Sequence, residues 1–243
     1  MKIAVISDIH GNLFALEKVL EDIEHEKCDN IFCLGDLAMA GPEPNKTIEL
    51  VKQMHWDIIQ GNTDKMIAEY NEDMYESLKP VIPIMANALK NDVQVISSEN
   101  KEFLRNLPEN IEININNTPI LLVHGSPRKN NEDILPDLPI EQVEEMTANT
   151  DARLILCGHT HLPCGYQTNS GKTVVNVGSV GRPFTEKPNA CYAIVNFDDI
   201  GFGVEHRFVE YDNIEASKTL ALRDFQGADK LSQILINPSI RHM

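Results

Sequence analysis

The chain opens on an apolar run at residues 3–6 that stops at Ser7 and is followed by Asp8, Ile9 and His10. Four apolar residues cut off by polar ones read as a short buried strand. Gly11 and Asn12 then punctuate the chain before helical spacing begins at Leu13, with Leu16, Val19, Leu20 and Ile23 on one face to about residue 27. A strand feeding a helix starts an α/β unit, and open α/β sheets bind ligands outside the carboxyl ends of their strands. A carboxylate and an imidazole two positions apart at such an end offer one hard oxygen and one borderline nitrogen to a divalent metal.

The same event recurs along the chain. Residues 30–34 form a second apolar run that ends in Gly35-Asp36, and 56–60 a third that ends in Gly61-Asn62-Thr63-Asp64. A helix over 47–54 lies between them, after the turn Gly41-Pro42-Glu43-Pro44. The segment 65–107 is helical but broken by Pro80 and Pro83, and reads as a helical insertion beside the Asn62 loop. Residues 111–115 alternate cleanly, and Asn116-Asn117 turns them into 120–123, which ends in His124-Gly125-Ser126-Pro127. A helix over 140–146 leads to the buried strand 153–157 and its tip Gly158-His159-Thr160-His161. Strands follow over 173–177, 190–197 and 204–209, then a C-terminal helix over about 214–236 with Gly227 as a point of interruption.

Strands and helices alternate early, and strands cluster late. The expected fold is therefore α/β (α+β): a four-layer αββα sandwich, two mixed β-sheets flanked by helices, in one domain over residues 1–243. A chain of this length holds one substantial core without division.

Bulk properties narrow the function. A formal charge of −16 disfavours a nucleic-acid backbone binder, which needs a basic face. It leaves phosphorylated substrates open, since bound divalent metal reverses the local field, and it does not prevent a dimer. Cys28, Cys33, Cys157, Cys164 and Cys191 are odd in number and form no C-x-x-C pair, which argues against a disulfide framework or structural zinc. No stretch approaches the roughly 18 apolar residues of a membrane span. A reducing cytoplasm is the expected location.

Any one of the strand tips is explained by local structure, because Gly-Asp and Gly-Asn are ordinary turns and caps. Their conjunction is not: four of the eight histidines fall at such tips beside two aspartates. The ordered set Asp8-Ile9-His10, Gly35-Asp36, Gly61-Asn62, His124-Gly125 and Gly158-His159-Thr160-His161 resembles the motif set of the calcineurin-like metallophosphoesterase superfamily. The wider context, including Gly41-Pro42-Glu43-Pro44 and the segment 176–181, is similar to its small bacterial and archaeal phosphodiesterase branch, related to diadenosine tetraphosphatases.

That resemblance implies a dinuclear site. One metal would take Asp8, His10, Asp36 and His161, and the second Asp36, Asn62, His124 and His159, with Asp36 bridging. It implies in-line attack on phosphorus by a metal-bridging hydroxide, with Asp36, Asn62 and His124 at the catalytic centre. The mixed oxygen and nitrogen donors suit two divalent first-row ions, manganese foremost, with iron, zinc or nickel as alternatives. The substrate class is a small phosphorylated molecule such as a nucleotide. A phosphodiesterase is expected, with a phosphomonoesterase or a dinucleoside polyphosphate hydrolase on the same site as the alternative. A non-catalytic metal-binding scaffold is disfavoured because every ligand position is filled.

The chain departs from the family pattern at Thr63, where many relatives carry His. A threonine hydroxyl is no general acid near neutral pH, a role worth typically about 10²–10⁴-fold, so substrates with good leaving groups are expected. Arg128 and Arg182 are candidate phosphate contacts through a bidentate fork. Asn12 is a candidate supporting residue beside His10, and equally an ordinary helix N-cap. Met66, Met74 and Met85 fit helix packing.

Overall fold

The computed structural model describes residues 1–238. It begins with β1 (Lys2–Ile6), α1 (Leu13–His25), β2 (Asn30–Cys33), α2 (Pro44–Gln53) and β3 (Asp57–Ile58). Four helices follow: α3 (Asn62–Ala68), α4 (Glu72–Leu78), α5 (Pro83–Val95) and α6 (Ser98–Arg105). The hairpin β4 (Asn110–Ile115) and β5 (Thr118–Val123) leads through α7 (Ile140–Met146) to β6 (Leu154–Cys157), β7 (Cys164–Gln167) and β8 (Thr173–Asn176). Last come β9 (Ala190–Phe197), β10 (Phe202–Val209), α8 (Asn213–Ala221), α9 (Ala228–Ser232) and a 3-10 turn, Gln233–Leu235.

The strands form two mixed sheets, in the orders β10-β9-β1-β2-β3 and β4-β5-β6-β8-β7. Strand alternation sends each residue set to a different layer. In β1, Ile3 and Val5 point between the sheets, against Leu122, Leu154 and Leu156. Ala4 and Ile6 face the opposite way, into a core built with Leu16, Val19, Ile48 and Leu89 of the helices. On the far side, Leu121, Val123 and Ile155 meet Val143 and Met146 of α7. The four layers are thus helix, sheet, sheet, helix, as the sequence pattern implied.

Register then positions the site. β1 and β2 run parallel with Ile6 opposite Cys33, so both strands end at one level. Pairing continues into the loops, where the N–H groups of Asp8 and His10 donate to the carbonyls of Gly35 (3.0 Å) and Asp36 (2.9 Å). In the second sheet β5 and β6 are parallel with Leu122 opposite Leu156, and Gly158 N–H donates to His124 O at 2.8 Å.

Three elements differ from the sequence reading. The strand expected over 56–60 is only Asp57–Ile58, because Gln60 N–H leaves the sheet and donates to Pro108 O at 2.7 Å. β7 was not foreseen: Cys-Gly-Tyr-Gln is only four residues long, with just Cys164 and Tyr166 on its half-buried face, and it pairs only as an edge strand against β8. The C-terminal segment is not one helix over 214–236. It breaks after Ala221 and resumes at Ala228, where Gly227 stands at φ +97° and starts a new helix. That left-handed conformation suits glycine at the start of α9, whereas α8 has already ended at Ala221 with Leu222 as its C-cap.

Candidate metal centre

Five loops deliver their polar side chains to one edge of the sandwich. Among the described residues, eleven non-glycine residues have positive φ, and five of them are Asp8, His10, Asp36, His159 and His161. Left-handed backbone is unfavourable for such residues and persists where surrounding structure enforces it. The enforcement is visible. Gly61 passes so close to Asp36 that an added Cβ would lie 2.1 Å from Asp36 Oδ1. Gly181 likewise lies where a Cβ would meet Ile9 O at 1.7 Å. The loop bearing Gly181 is stitched to the Asp8 loop by Ser179 Oγ, which donates to Asp8 O at 2.8 Å.

The imidazoles of His10, His161 and His124 are each fixed by a backbone carbonyl. His10 Nδ1 meets Met39 O at 3.0 Å, His161 Nδ1 meets Arg182 O at 2.6 Å, and His124 Nδ1 meets Leu34 O at 2.7 Å. A carbonyl only accepts, so Nδ1 carries the proton in all three and a neutral ring presents a bare Nε2. Those Nε2 atoms converge on acceptors. His10 Nε2 and His161 Nε2 are 3.1 Å apart. His124 Nε2 is 3.0 Å from Asn62 Oδ1 and 3.4 Å from Asp36 Oδ1.

Asp8 sits at the middle, fully buried. Its Oδ2 accepts the His159 N–H at 2.9 Å. Its Oδ1 makes no hydrogen bond, although His161, His10 and His124 bring their Nε2 atoms to 3.2, 3.8 and 4.0 Å. Lone pairs facing lone pairs in a buried site are relieved by a proton or a metal cation among them, and this arrangement suits a metal cation. Among the described residues two groups meet the geometric demand: Asp8, His10 and His161, and Asp8, Asp36 and His124, each with ligand atoms within 4.8 Å of one another. The donors are imidazole nitrogen, carboxylate and carboxamide oxygen, a set that fits divalent transition metals.

Charges respond to this crowding. Burial would raise the Asp8 carboxyl, yet the neighbouring His161 charge carries it down to about 2. Burial would raise Asp36 too, and His124 holds it well below the carboxylate range. Burial, with His161 beside it, pushes His10 down to about 4. His124 is opposed by burial but raised to about 10 by the Asp36 carboxylate. A bound divalent cation takes the place of these protons.

The remaining sequence candidates divide. His159 stacks edge-on to His124 with ring centroids 5.3 Å apart, and its Nε2 is 3.3 Å from Asp133 Oδ1. Thr63 donates its N–H to Asp36 Oδ1 at 2.8 Å, while its buried Oγ1 makes no hydrogen bond. Asn12 is the N-cap of α1, accepting Ala15 N–H at 3.2 Å, and its amide donates to Gly181 O at 2.8 Å. Arg128 is engaged by Glu132 (2.7 Å) and Glu145 (3.2 Å). Arg182 forms no ion pair among the described residues. Its Nε is buried without a partner, its Nη1 meets Met85 Sδ at 3.6 Å, and burial lowers it to about 10 against the pull of Asp36.

Sequence reading passed over Asp64. Its carboxylate accepts three backbone N–H groups, from Asp36 (2.8 Å), Leu37 (2.9 Å) and Gly61 (3.0 Å). The available signal was an acid at the third position of a helix, where a carboxylate reaches back to the N-cap.

Comparison with known proteins agrees with this geometry. A model of the calcineurin-like phosphoesterase superfamily domain matches residues 1–199. An uncharacterized protein of Methanocaldococcus jannaschii is 35% identical over 224 residues, 86% of this chain and 88% of that one. The crystal structure of a hypothetical protein from Pyrococcus horikoshii superposes with TM-score 0.87 at 26% identity, covering 97% of this chain and 98% of that chain. A metallophosphoesterase from Sphaerobacter thermophilus gives TM-score 0.77 at 26% identity, again over 97% and 98% of the two chains. The chain belongs to the calcineurin-like phosphoesterase superfamily, and it is a metal-dependent phosphoesterase.

Proposed function

We propose that this protein is a dinuclear-metal phosphodiesterase acting on a small phosphorylated substrate, carried on a single domain. The observation that carries the reading is the split presentation of Asp36. Its Oδ2 lies 3.6 Å from His10 Nε2, and its Oδ1 lies 3.4 Å from His124 Nε2. One carboxylate thus faces two imidazole clusters, as a bridging ligand must. Asp8, His10, Asp36 and His161 would hold one ion, and Asp36, Asn62, His124 and His159 the other, manganese being the first candidate among first-row metals. When bound, such a pair supplies Lewis acidity toward phosphoryl oxygens and lowers the pKa of water.

The chain's own groups do the rest. Thr63 N–H holds Asp36 Oδ1 in place, and the carbonyls of Met39, Arg182 and Leu34 keep the proton on Nδ1 of His10, His161 and His124. Arg182 brings a cation without a carboxylate partner close enough to feel Asp36. That position suits the single charge of a diester. The Thr63 hydroxyl supplies no proton near neutral pH, which favours esters with good leaving groups. The free thiols of Cys28, Cys33, Cys157, Cys164 and Cys191 support a reducing cytoplasm, and no helix among the described residues is long and apolar enough to cross a membrane.

The test is hydrolysis of bis(p-nitrophenyl) phosphate and p-nitrophenyl phosphate by metal-stripped protein, with and without added Mn²⁺. Metal-dependent turnover favouring the diester is expected. A monoester preference would overturn the diester assignment, and no turnover with any first-row ion would overturn catalysis at this site.

A further inference from the structure

The Arg182 carbonyl holds His161 Nδ1 at 2.6 Å. A single hydrogen bond fixes one atom of an imidazole and leaves the ring free to tilt about it. A phenyl ring limits that tilt. Phe184 lies parallel to His161, with ring centroids 4.8 Å apart and an interplanar angle of 11°. His10 meets the same imidazole at 46°, so the flat contact that defines the plane of His161 is the one with Phe184.

One short run of sequence builds this contact. Gly181 N–H donates to Asp8 O at 3.0 Å, Asn12 Nδ2 donates to Gly181 O at 2.8 Å, and Arg182 N–H donates to Ser179 Oγ at 2.9 Å. Pro183 fixes its own φ, so Phe184 leaves a backbone already fastened to the Asp8 loop. The ring is half-buried and stands outside the three apolar clusters of the sheets and helices. Core packing therefore does not account for an aromatic at this position. Its face meets the His161 imidazole and also the Arg182 guanidinium, whose central carbon lies 5.8 Å from the ring centroid. Within about 6 Å a guanidinium is attracted to the negative face of such a ring. An imidazole that shares its Nε2 lone pair with a metal becomes electron-poor and gains from the same face.

We propose that Phe184 is a positioning residue of the metal centre: its ring sets the plane of the His161 imidazole and holds the Arg182 guanidinium beside it. One side chain thereby aligns a metal ligand with a phosphate contact. The assignment rests on the reading of His161 as a metal ligand and adds to it a residue that acts through its neighbours, as the groups that orient metal ligands do.

The experiment measures metal binding without substrate. Mn²⁺ is titrated calorimetrically onto the metal-stripped protein and onto Phe184→Leu, Phe184→Met and Phe184→Tyr. The first two variants keep apolar bulk without a π face, and either one decides the question if the other does not fold. The third keeps the face. Both apolar variants are expected to bind one Mn²⁺ about three- to tenfold more weakly, the factor an aromatic pair adds to its packing, and Phe184→Tyr to match the unsubstituted protein. At saturating Mn²⁺, KM for bis(p-nitrophenyl) phosphate is expected to rise at least about threefold in the apolar variants and to stay unchanged in Phe184→Tyr. Unaltered Mn²⁺ affinity in the apolar variants, or an equal loss in Phe184→Tyr, would overturn the positioning of His161. An unaltered KM would overturn that of Arg182. Failure of the unsubstituted protein to bind Mn²⁺ would overturn the reading of the metal centre, and the role of Phe184 with it.

Discussion

Asp64 holds Asp36 by its backbone: Asp64 Oδ2 accepts the Asp36 N–H at 2.8 Å, and the same carboxylate takes the N–H groups of Leu37 and Gly61. The turn that aims Asp36 and the turn that carries Asn62 are thereby fastened to one side chain. Burial, and then the charge of Asp36, raise this carboxyl to about 7. Asp64 is a positioning residue.

Removing it strands buried donors, each at roughly 1–3 kcal/mol. Asp64→Ala is expected to lower unfolding free energy by several times that unit cost, and Asp64→Asn by less, because one acceptor oxygen survives. Chemical denaturation measures both. Asp64→Ala within about 0.5 kcal/mol of the unsubstituted protein would show that the three bonds do not stabilise the turn.

A second fastening reaches the site from the far end of the chain. Arg223 Nη1 lies 2.7 Å from Asp92 Oδ1 and donates to Gly41 O at 2.8 Å, while Asp92 Oδ2 accepts Ala40 N–H at 2.7 Å. These bonds clamp the turn whose Met39 carbonyl orients His10. Breaking a buried pair on one side costs about 3–5 kcal/mol. Arg223→Gln is expected to destabilise by that order and to weaken Mn²⁺ binding as well. Arg207→Gln, which breaks an ion pair with Asp22 elsewhere, serves as the control and leaves metal affinity unchanged. Equal metal affinity in all three proteins would remove Arg223 from the positioning of His10.

Arg182 is predicted to act on substrate. A charge-assisted hydrogen bond is worth about 1.5–3 kcal/mol, so Arg182→Gln should lower kcat/KM for a diester by roughly 10- to 100-fold. Metal content should not change. Unaltered kcat/KM would place the guanidinium outside the phosphate contacts.

Thr63 gives the opposite expectation. Its Oγ1 makes no hydrogen bond, and only its N–H touches Asp36. Thr63→Val keeps that N–H and the side-chain shape. Turnover of an activated diester is expected to stay within about threefold, whereas loss of a proton donor would cost about 10²-fold or more.

What the sequence made legible follows from chemistry that repeats. Apolar runs ending in Asp8, Asp36, His124 and His159 announced both the parallel strands and the edge at which they converge. Asn12 was legible as a cap because capping is local. Asp64 was not, since its value lies in three backbone donors from two separate turns, which no spacing reveals. The same holds for Arg223 and Asp92, far apart in sequence and joined only by packing. β7 escaped because its four residues turn only Cys164 and Tyr166 inward, too short a pattern to read; at the C-terminus the interruption at Gly227 was legible, but the earlier end of α8 at Ala221 was not.

The most direct test of the account is metal stoichiometry. Metal-stripped protein is dialysed against excess Mn²⁺, freed of unbound ion and analysed for manganese per chain, beside His10→Gln and His124→Gln. The account predicts two ions per chain in the unsubstituted protein and loss of one in each variant. One ion or none in the unsubstituted protein, or two retained in both variants, would contradict the assignment of these side chains to a dinuclear centre.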